Sequence, residues 1–231
     1  MKKNEQTPSP PWRTGVGLKI CGMKLNIAEV VTLQPDYLGF IFYEKSPRFF
    51  EGEIPSLPLG IKKVGVFVDA SLDEILEKTK QFKLDVIQLH GEETADFCIR
   101  LNKGLDCARP DNSAVVEIWK VFSIKEEFDF EILRHFEIVV DKFLFDTKGK
   151  EKGGNGYTFN WKILKKYPSK KPFILSGGIG LEEVEALKKL LKTDLPIYAI
   201  DVNSRFETEP GRKDIKLLQG FQNLVGINRI L

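Results

Sequence analysis

From Leu18 onward the chain repeats one pattern: a short apolar, β-branched or aromatic run, a polar or glycine-bearing break, then a stretch with helical spacing. Runs of strand character fall at 18–21, 37–42, 63–68, 86–89, 118–122, 143–145, 173–175 and 197–202. Between them the spacing predicts helices over 25–33, 72–82, 93–101, 125–136, 160–167, 181–191 and 215–225. The interval 50–59 carries Pro55 and Pro58 and cannot hold a long helix. The strand runs are apolar at nearly every position instead of alternating, as parallel strands covered on both faces are. Eight such strands with helices between them, in about 215 residues, predict an α/β chain folded as a single-domain (β/α)8 TIM barrel. An open doubly wound sheet would show Gly-x-Gly-x-x-Gly after its first strand, where this chain reads Cys21-Gly22-Met23-Lys24. Residues 15–231 are assigned to the barrel. Residues 1–14, with Pro8, Pro10 and Pro11, read as a flexible N-terminal extension.

Composition narrows the function classes. Apolar residues make up 42% and charged residues 29% of the 231, which is globular usage, and 17 Phe promise a core rich in aromatic volume. The net charge of +2 and the lack of a dense basic stripe argue against a nucleic-acid partner. The first residues lack the apolar run of a signal peptide, and no apolar stretch approaches the roughly 18 residues of a membrane helix. A cytoplasmic protein without a membrane partner is expected. Cys21, Cys98 and Cys107 are odd in number and irregularly spaced, and the chain has two histidines, so neither a disulfide framework nor a metal site is expected.

Barrel enzymes carry their chemistry at the carboxyl ends of the strands, which sorts the polar residues by face. Asp36 and Asp85 precede their strands and belong to the stabilising face. The opposite end gathers Cys21, Asp69, Gln88, His90, Asp146, Ser176, Gly177, Gly178, Asp201, Asn203 and Ser204. Asp69 is assigned to the start of a helix, because Ser71 and Glu74 just beyond it have capping-box spacing. Asp146 opens a polar, glycine-rich loop running to Gly156, the composition of a lid. A carboxyl group enclosed by such a lid suits proton donation; the alternative is a strand-end carboxylate satisfied by loop amides. Gly177-Gly178 lets bare N–H groups approach an anion at the strand-seven loop where barrels often bind phosphate, with Ser204 and Arg205 as further donors. A simple tight turn would look the same. A strand cysteine such as Cys21 is more often inert core than a base, but its place at this end beside Lys19 and Lys24 keeps a thiolate role open. Arg48, stiffened by Pro47, could hold a carboxylate in a bidentate fork, and His90 reads as a structural hydrogen-bonder.

Taken in order, Lys19-Ile20-Cys21-Gly22-Met23, Gly39-Phe40-Ile41-Phe42 with Ser46-Pro47-Arg48, Val64-Gly65-Val66-Phe67-Val68, Ile87-Gln88-Leu89-His90-Gly91-Glu92 and Leu175-Ser176-Gly177-Gly178-Ile179 resemble the phosphoribosylanthranilate isomerases of tryptophan biosynthesis. Phe145-Asp146 with Gly153-Gly154-Asn155-Gly156, and Asp201-Val202-Asn203-Ser204 with Pro210-Gly211-Lys213-Asp214, extend the resemblance over nearly the whole chain after the first 14 residues. It implies an aldose–ketose isomerase, an intramolecular oxidoreductase that needs no metal or cofactor. Its substrate would be the phosphosugar N-(5-phosphoribosyl)anthranilate and its product 1-(2-carboxyphenylamino)-1-deoxyribulose 5-phosphate, formed by an Amadori rearrangement. The resemblance implies Cys21 as general base, Asp146 as general acid and Arg48 as the contact to the anthranilate carboxylate. Gly154, Gly156, Gly177, Gly178, Ser204 and Arg205 would bind substrate, with His90 and Asp201 supporting the catalytic groups. Arg205 stands where the family usually has glycine, which alters the phosphate contact. Members of such a family would be monomers or homodimers. The alternatives are another phosphosugar barrel, such as an indole-glycerol-phosphate synthase with a strand-end lysine, and a barrel that binds ligand without turnover.

Overall fold

The computed structural model describes residues 15–107, 115–147 and 158–227. Eight strands close into a parallel barrel in sequence order: β1 (Gly17–Ile20), β2 (Tyr37–Ile41), β3 (Lys62–Phe67), β4 (Val86–Leu89), β5 (Glu117–Ile124), β6 (Lys142–Thr147), β7 (Phe173–Leu175) and β8 (Ile197–Val202). Closure comes from β1 pairing with β8, in a register that sets Lys19 opposite Asp201. The expected strand centres hold, and three of the eight match to the residue.

Among the described residues five α-helices lie outside the strands: α1 (Ile27–Val31), α2 (Leu72–Phe82), α3 (Ala95–Cys107), α4 (Val184–Leu191) and α5 (Ile215–Val225). Two predicted helices take a different form. In place of 125–136 there is a six-residue 3₁₀ turn, Phe130–His135, because the Asp129 side chain accepts the Glu131 N–H at 3.0 Å and starts the turn late. In place of 160–167 there is another, Trp161–Lys166, started by Asn160 accepting from Lys162 and stopped ahead of Pro168. Helix α3 begins two residues later than predicted, at a Thr94 cap, since Glu93 turns inward. A short hairpin, β9 (Glu207–Glu209) with β10 (Arg212–Lys213), lies beyond β8. No helix among the described residues is long and apolar enough to cross a membrane.

The core has two shells. Outside the sheet, apolar residues of the strands meet the helices; inside, Tyr37, Val64, Val66, Val86, Trp119, Val121, Leu144, Ile174 and Ala199 fill the barrel. The aromatic volume is concentrated rather than spread. Phe122, Phe128, Phe130, Phe143, Phe145, Tyr167 and Phe173 form one edge-to-face cluster behind β5, β6 and β7. Such pairs add specific geometry to the area they bury.

The amino-terminal face of the barrel is clamped by one device used three times. Asp36, Asp85 and Asp141 each stand one residue before a strand, and each carboxylate accepts the N–H of the preceding strand's residue, Leu18, Lys63 and Ile118, at 2.7–2.8 Å. The placement of Asp36 and Asp85 on the stabilising face is therefore what the structure shows. Within the barrel at this end, Tyr37 and Tyr198 share a hydrogen bond of 2.9 Å, and Glu117 accepts from Lys142 at 2.6 Å, Trp119 at 2.8 Å and Lys62 at 3.2 Å.

Burial alone would raise the Glu117 carboxyl, but the two lysines and the hydrogen bonds outweigh it and hold the group below its ordinary value. A carboxyl held low stabilises the fold fully above its unfolded value, and that contribution disappears as pH falls through the folded one. Glu117→Gln is accordingly expected to cost about 3 kcal/mol at neutral pH, because Lys142 is left buried without a counter-charge. Urea unfolding should show the gap from the parent protein narrowing on acidification. A gap that stays constant would rule out the ion cluster as its source.

Candidate active site

The carboxyl ends of the strands open onto one cleft lined by Cys21, Ile41, Tyr43, Ser46, Gln88, His90, Asp146, Ser176, Gly177, Gly178, Asp201, Asn203, Ser204 and Arg205 among others. Of the residues assigned from sequence, all that are described lie here or against it. Gly154 and Gly156 fall outside the described residues.

Cys21 directly follows β1. Its backbone N–H donates to Val202 O on β8 at 2.9 Å, and Met23 N–H donates to Gly39 O on β2 at 2.9 Å, so the thiol's stem is tied to both neighbouring strands. The side chain is 5% exposed. Lys19, two residues earlier and on the same inward face, is fully buried; its ammonium lies 2.9 Å from Asp201 Oδ1, near the Cys21 thiol. Gly39 makes room for this group. A Cβ there would stand 2.8 Å from Cys21 Sγ and 3.2 Å from Lys19 Nζ. Burial raises the Cys21 thiol above its ordinary value, and Lys19 works in the opposite direction.

Asp146 lies inside the sixth strand near its end. Its Oδ1 accepts the Thr147 N–H at 2.9 Å, and its Oδ2 is 3.3 Å from His90 Nε2. His90 thus faces the carboxyl assigned as acid. The loop after β7 is shaped around this carboxyl. Gly177 has φ +87°, and a Cβ on it would collide with Thr147 and lie 2.7 Å from Asp146 Oδ1. Gly178, at φ +67°, completes the turn over the cleft. Both positions favour glycine for backbone reasons, and Gly177 for space as well.

Loop four, which carries His90, is held from outside the barrel. Lys120 Nζ donates to Gly91 O at 2.8 Å and to Glu93 Oε2 at 3.0 Å, and Glu93 in turn accepts the N–H groups of Asp69 and Gly91. Asp69 departs from its expected place at a helix start. Ser71 caps α2 by accepting from Glu74, whereas Asp69, at φ +53°, accepts the Glu92 N–H at 2.6 Å and joins loop three to loop four.

Arg48 does reach the site. Its Cδ packs over Gly22, beside Cys21, at a point where a Cβ would stand 2.7 Å away. Its Nε and Nη2 are held by Glu207 at 2.6–3.0 Å. Glu207 also accepts from Lys213 Nζ at 2.6 Å and from Gly211 N–H at 3.1 Å, and Lys213 donates to Asn203 Oδ1 at 2.8 Å. These cations hold the Glu207 carboxyl below its ordinary value against the opposing effect of burial. Arg205 is about one-third exposed and pairs with Glu182, while Ser204 opens the 3₁₀ turn Ser204–Phe206 at the cleft edge. Ser176 Oγ donates to Asp201 Oδ2 at 3.3 Å.

Sequence reading placed Lys19 beside Cys21 without assigning it to the site, and it missed Glu207, Lys213, Glu93 and Lys120. One signal was present: Lys19 in Gly-Leu-Lys-Ile-Cys and Lys120 in Ile-Trp-Lys-Val-Phe are charges inside apolar strands, which occur only when a partner is waiting. The partner's identity was not legible, since Asp201 lies 182 positions from Lys19.

Comparison with known proteins agrees with this geometry. A relative from Parabacteroides distasonis, N-(5'-phosphoribosyl)anthranilate isomerase, is 43% identical over 213 residues, 88% of this chain and 90% of the relative. The dimeric phosphoribosylanthranilate isomerase of Thermotoga maritima superposes with a TM-score of 0.75 at 29% identity, covering 91% of this chain and 98% of the other. A phosphoribosylanthranilate isomerase structure in complex with reduced 1-(o-carboxyphenylamino)-1-deoxyribulose 5-phosphate superposes at 0.71 with 26% identity, covering 91% and 98%. The family model for N-(5'-phosphoribosyl)anthranilate isomerase matches residues 18–223, and the chain belongs to that family.

Proposed function

We propose that the protein isomerises N-(5'-phosphoribosyl)anthranilate to 1-(o-carboxyphenylamino)-1-deoxyribulose 5-phosphate in tryptophan biosynthesis, with Asp146 as general acid and Cys21 as general base. The observation that carries the roles is the meeting, in one cleft, of a thiol beside a buried ammonium and a carboxyl beside an imidazole, on strands separated by β7 and β8.

The chemistry needs two proton transfers at different atoms. Opening the furanose requires a proton on the ring oxygen as the anthranilate nitrogen pushes electrons toward C1. Asp146 is built to supply it: one oxygen is tied to the Thr147 N–H, and the other faces His90 and the cleft. The resulting iminium acidifies C2–H. A thiolate at Cys21 takes that proton, and the enolamine relaxes to the ketone. Separate strands allow the acid and the base to address different atoms of one substrate without quenching each other.

Binding follows the same division. The N–H groups around Gly177 and Gly178, with the Ser204 hydroxyl, suit the phosphate, whose remote binding energy orients the reacting carbons. Arg205 reaches this end of the cleft from its pairing with Glu182 and adds positive charge where the family usually has glycine. Arg48 is pre-oriented by Glu207, and its Nη1 edge makes no hydrogen bond among the described residues, which leaves it for the anthranilate carboxylate. A homodimer, as in the Thermotoga protein, is compatible with a site built wholly from one chain.

Purified protein given N-(5'-phosphoribosyl)anthranilate should consume the fluorescence of that substrate. Cys21→Ala and Asp146→Asn are each expected to lower kcat/KM by about 100-fold or more while the fold survives; a Cys21→Ala rate equal to that of the parent would remove Cys21 from the mechanism. Arg48→Ala should raise KM more than it lowers kcat, as loss of a binding contact does. Gly177→Ala is expected to cost about 1–3 kcal/mol of stability through its left-handed backbone, and to slow turnover through its clash with the Asp146 shelf; thermal melting and kinetics together check both.

A further inference from the structure

We propose that Lys19 is a positioning residue for the isomerisation: its buried ammonium favours the Cys21 thiolate that takes the substrate proton, while Asp201 anchors that ammonium. The proposal rests on the reading of Cys21 as the base and adds to it the device that readies the base.

A fully buried ammonium is costly unless it is paired, and replacing a buried ion pair with apolar residues is often neutral or stabilising. A purely structural Lys19–Asp201 pair would therefore be dispensable. Three features tie this pair to the thiol. The β1–β8 register sets Lys19 directly opposite Asp201, with Nζ to Oδ1 at 2.9 Å. Lys19 and Cys21 share the inward face of β1, and both groups border the same point beside Gly39, so the ammonium acts directly on the thiol. Gly39, on the adjacent strand, leaves the space that both Sγ and Nζ occupy, where any side chain would displace them.

The surrounding charges leave this task to Lys19. Asp201 opposes thiolate formation and Lys19 favours it, with a smaller favourable effect from Lys213. Lys213 is itself engaged by Glu207 at 2.6 Å and Asn203 at 2.8 Å. Arg48 over Gly22 is likewise engaged by Glu207, and the Asp146–His90 pair faces the cleft from β6 and β4, with Asp146 acting on Asp201. Burial pulls the Lys19 ammonium toward the neutral form, but Asp201 and Cys21 outweigh it and keep it charged. Its charge is thus available to a thiolate that burial otherwise disfavours. In the reaction the thiolate takes the C2 proton, Lys19 keeps its own, and the new thiol returns its proton to solvent after product leaves.

The test compares Lys19→Met and Asp201→Asn with the parent in kcat/KM against pH, and in the pH dependence of inactivation by iodoacetamide in a Cys107→Ser background. The buried Cys98 thiol, pushed up to about 11, stays silent in the neutral range. Lys19→Met is expected to move the ascending limb of both profiles to higher pH by about one pH unit, so that the loss is about tenfold at neutral pH and shrinks in alkali. Asp201→Asn should move the limb the other way, since it removes a charge that opposes the thiolate. Loss of activity by the same factor at every pH, with the inactivation profile unmoved, would overturn the proposal and leave Lys19 a structural role. Should Lys19→Met fail to fold by circular dichroism, the direction in which Asp201→Asn moves the limb decides, and an unmoved or upward limb counts against the proposal. If Cys21→Ala retains turnover, the base assignment itself fails; that result is distinct from an unmoved pH limb in a protein that still depends on Cys21.

Discussion

A charge can be kept inside an apolar barrel only if another charge or a set of hydrogen bonds meets it, and the architecture of this protein is organised around such meetings. At the amino-terminal end of the lumen Glu117 answers Lys142 and Lys62. At the carboxyl end Asp201 answers Lys19 across the seam that closes the barrel. Behind loop four Glu93 answers Lys120, and in the hairpin after β8 Glu207 answers both Lys213 and Arg48. Each pair joins segments distant in sequence or on opposite sides of a turn. Removing one member leaves an uncompensated charge, a large penalty against the modest total stability of a domain.

The same barrel divides its labour between its ends. At the amino-terminal face three aspartates clamp successive strand pairs by accepting backbone N–H groups, a use of carboxylates that leaves them unavailable for chemistry. At the other face carboxylates also meet side chains: Asp146 faces His90, and Asp201 meets Lys19 and Ser176. Space there is made by leaving side chains out. Gly39 clears the thiol and the ammonium, Gly22 clears Arg48 and Asn203, and Gly177 clears Asp146 and Thr147. Phenylalanine packing behind β5, β6 and β7 keeps the strand bearing Asp146 stiff, which an acid with a fixed target requires.

How much of this was legible differs by residue. Strand runs such as 173–175 and 197–202 were readable to the residue because burial leaves mostly apolar side chains over a short span. The helix over 215–225 was equally readable, framed by Asp214 as its cap and Gly226 in the left-handed conformation at its end. The 3₁₀ turn at Phe130–His135 was not, because a local competition between Asp129 and the helical start is invisible to periodicity. Cys21, Asp146, Arg48 and the Gly177-Gly178 turn were found because strand ends in a barrel converge, so order along the chain becomes order around a ring. Asp69 was misplaced, since its partner, the Glu92 N–H, belongs to the neighbouring loop.

The amino-acid sequence by itself therefore determined the number of barrel strands, their parallel arrangement, the end of the barrel to which the strand-end polar residues belong and the family to which those residues point. These depend on periodicity, composition and local order, which are properties of short segments. Only the tertiary structure decided which charge meets which: that Lys19 faces Asp201 and Cys21, that Glu207 rather than solvent holds Arg48, and that His90 meets Asp146. The reason is physical. Hydrogen bonds and ion pairs act over about 3 Å, and strand register and barrel closure, not separation along the chain, bring residues 182 positions apart within that distance.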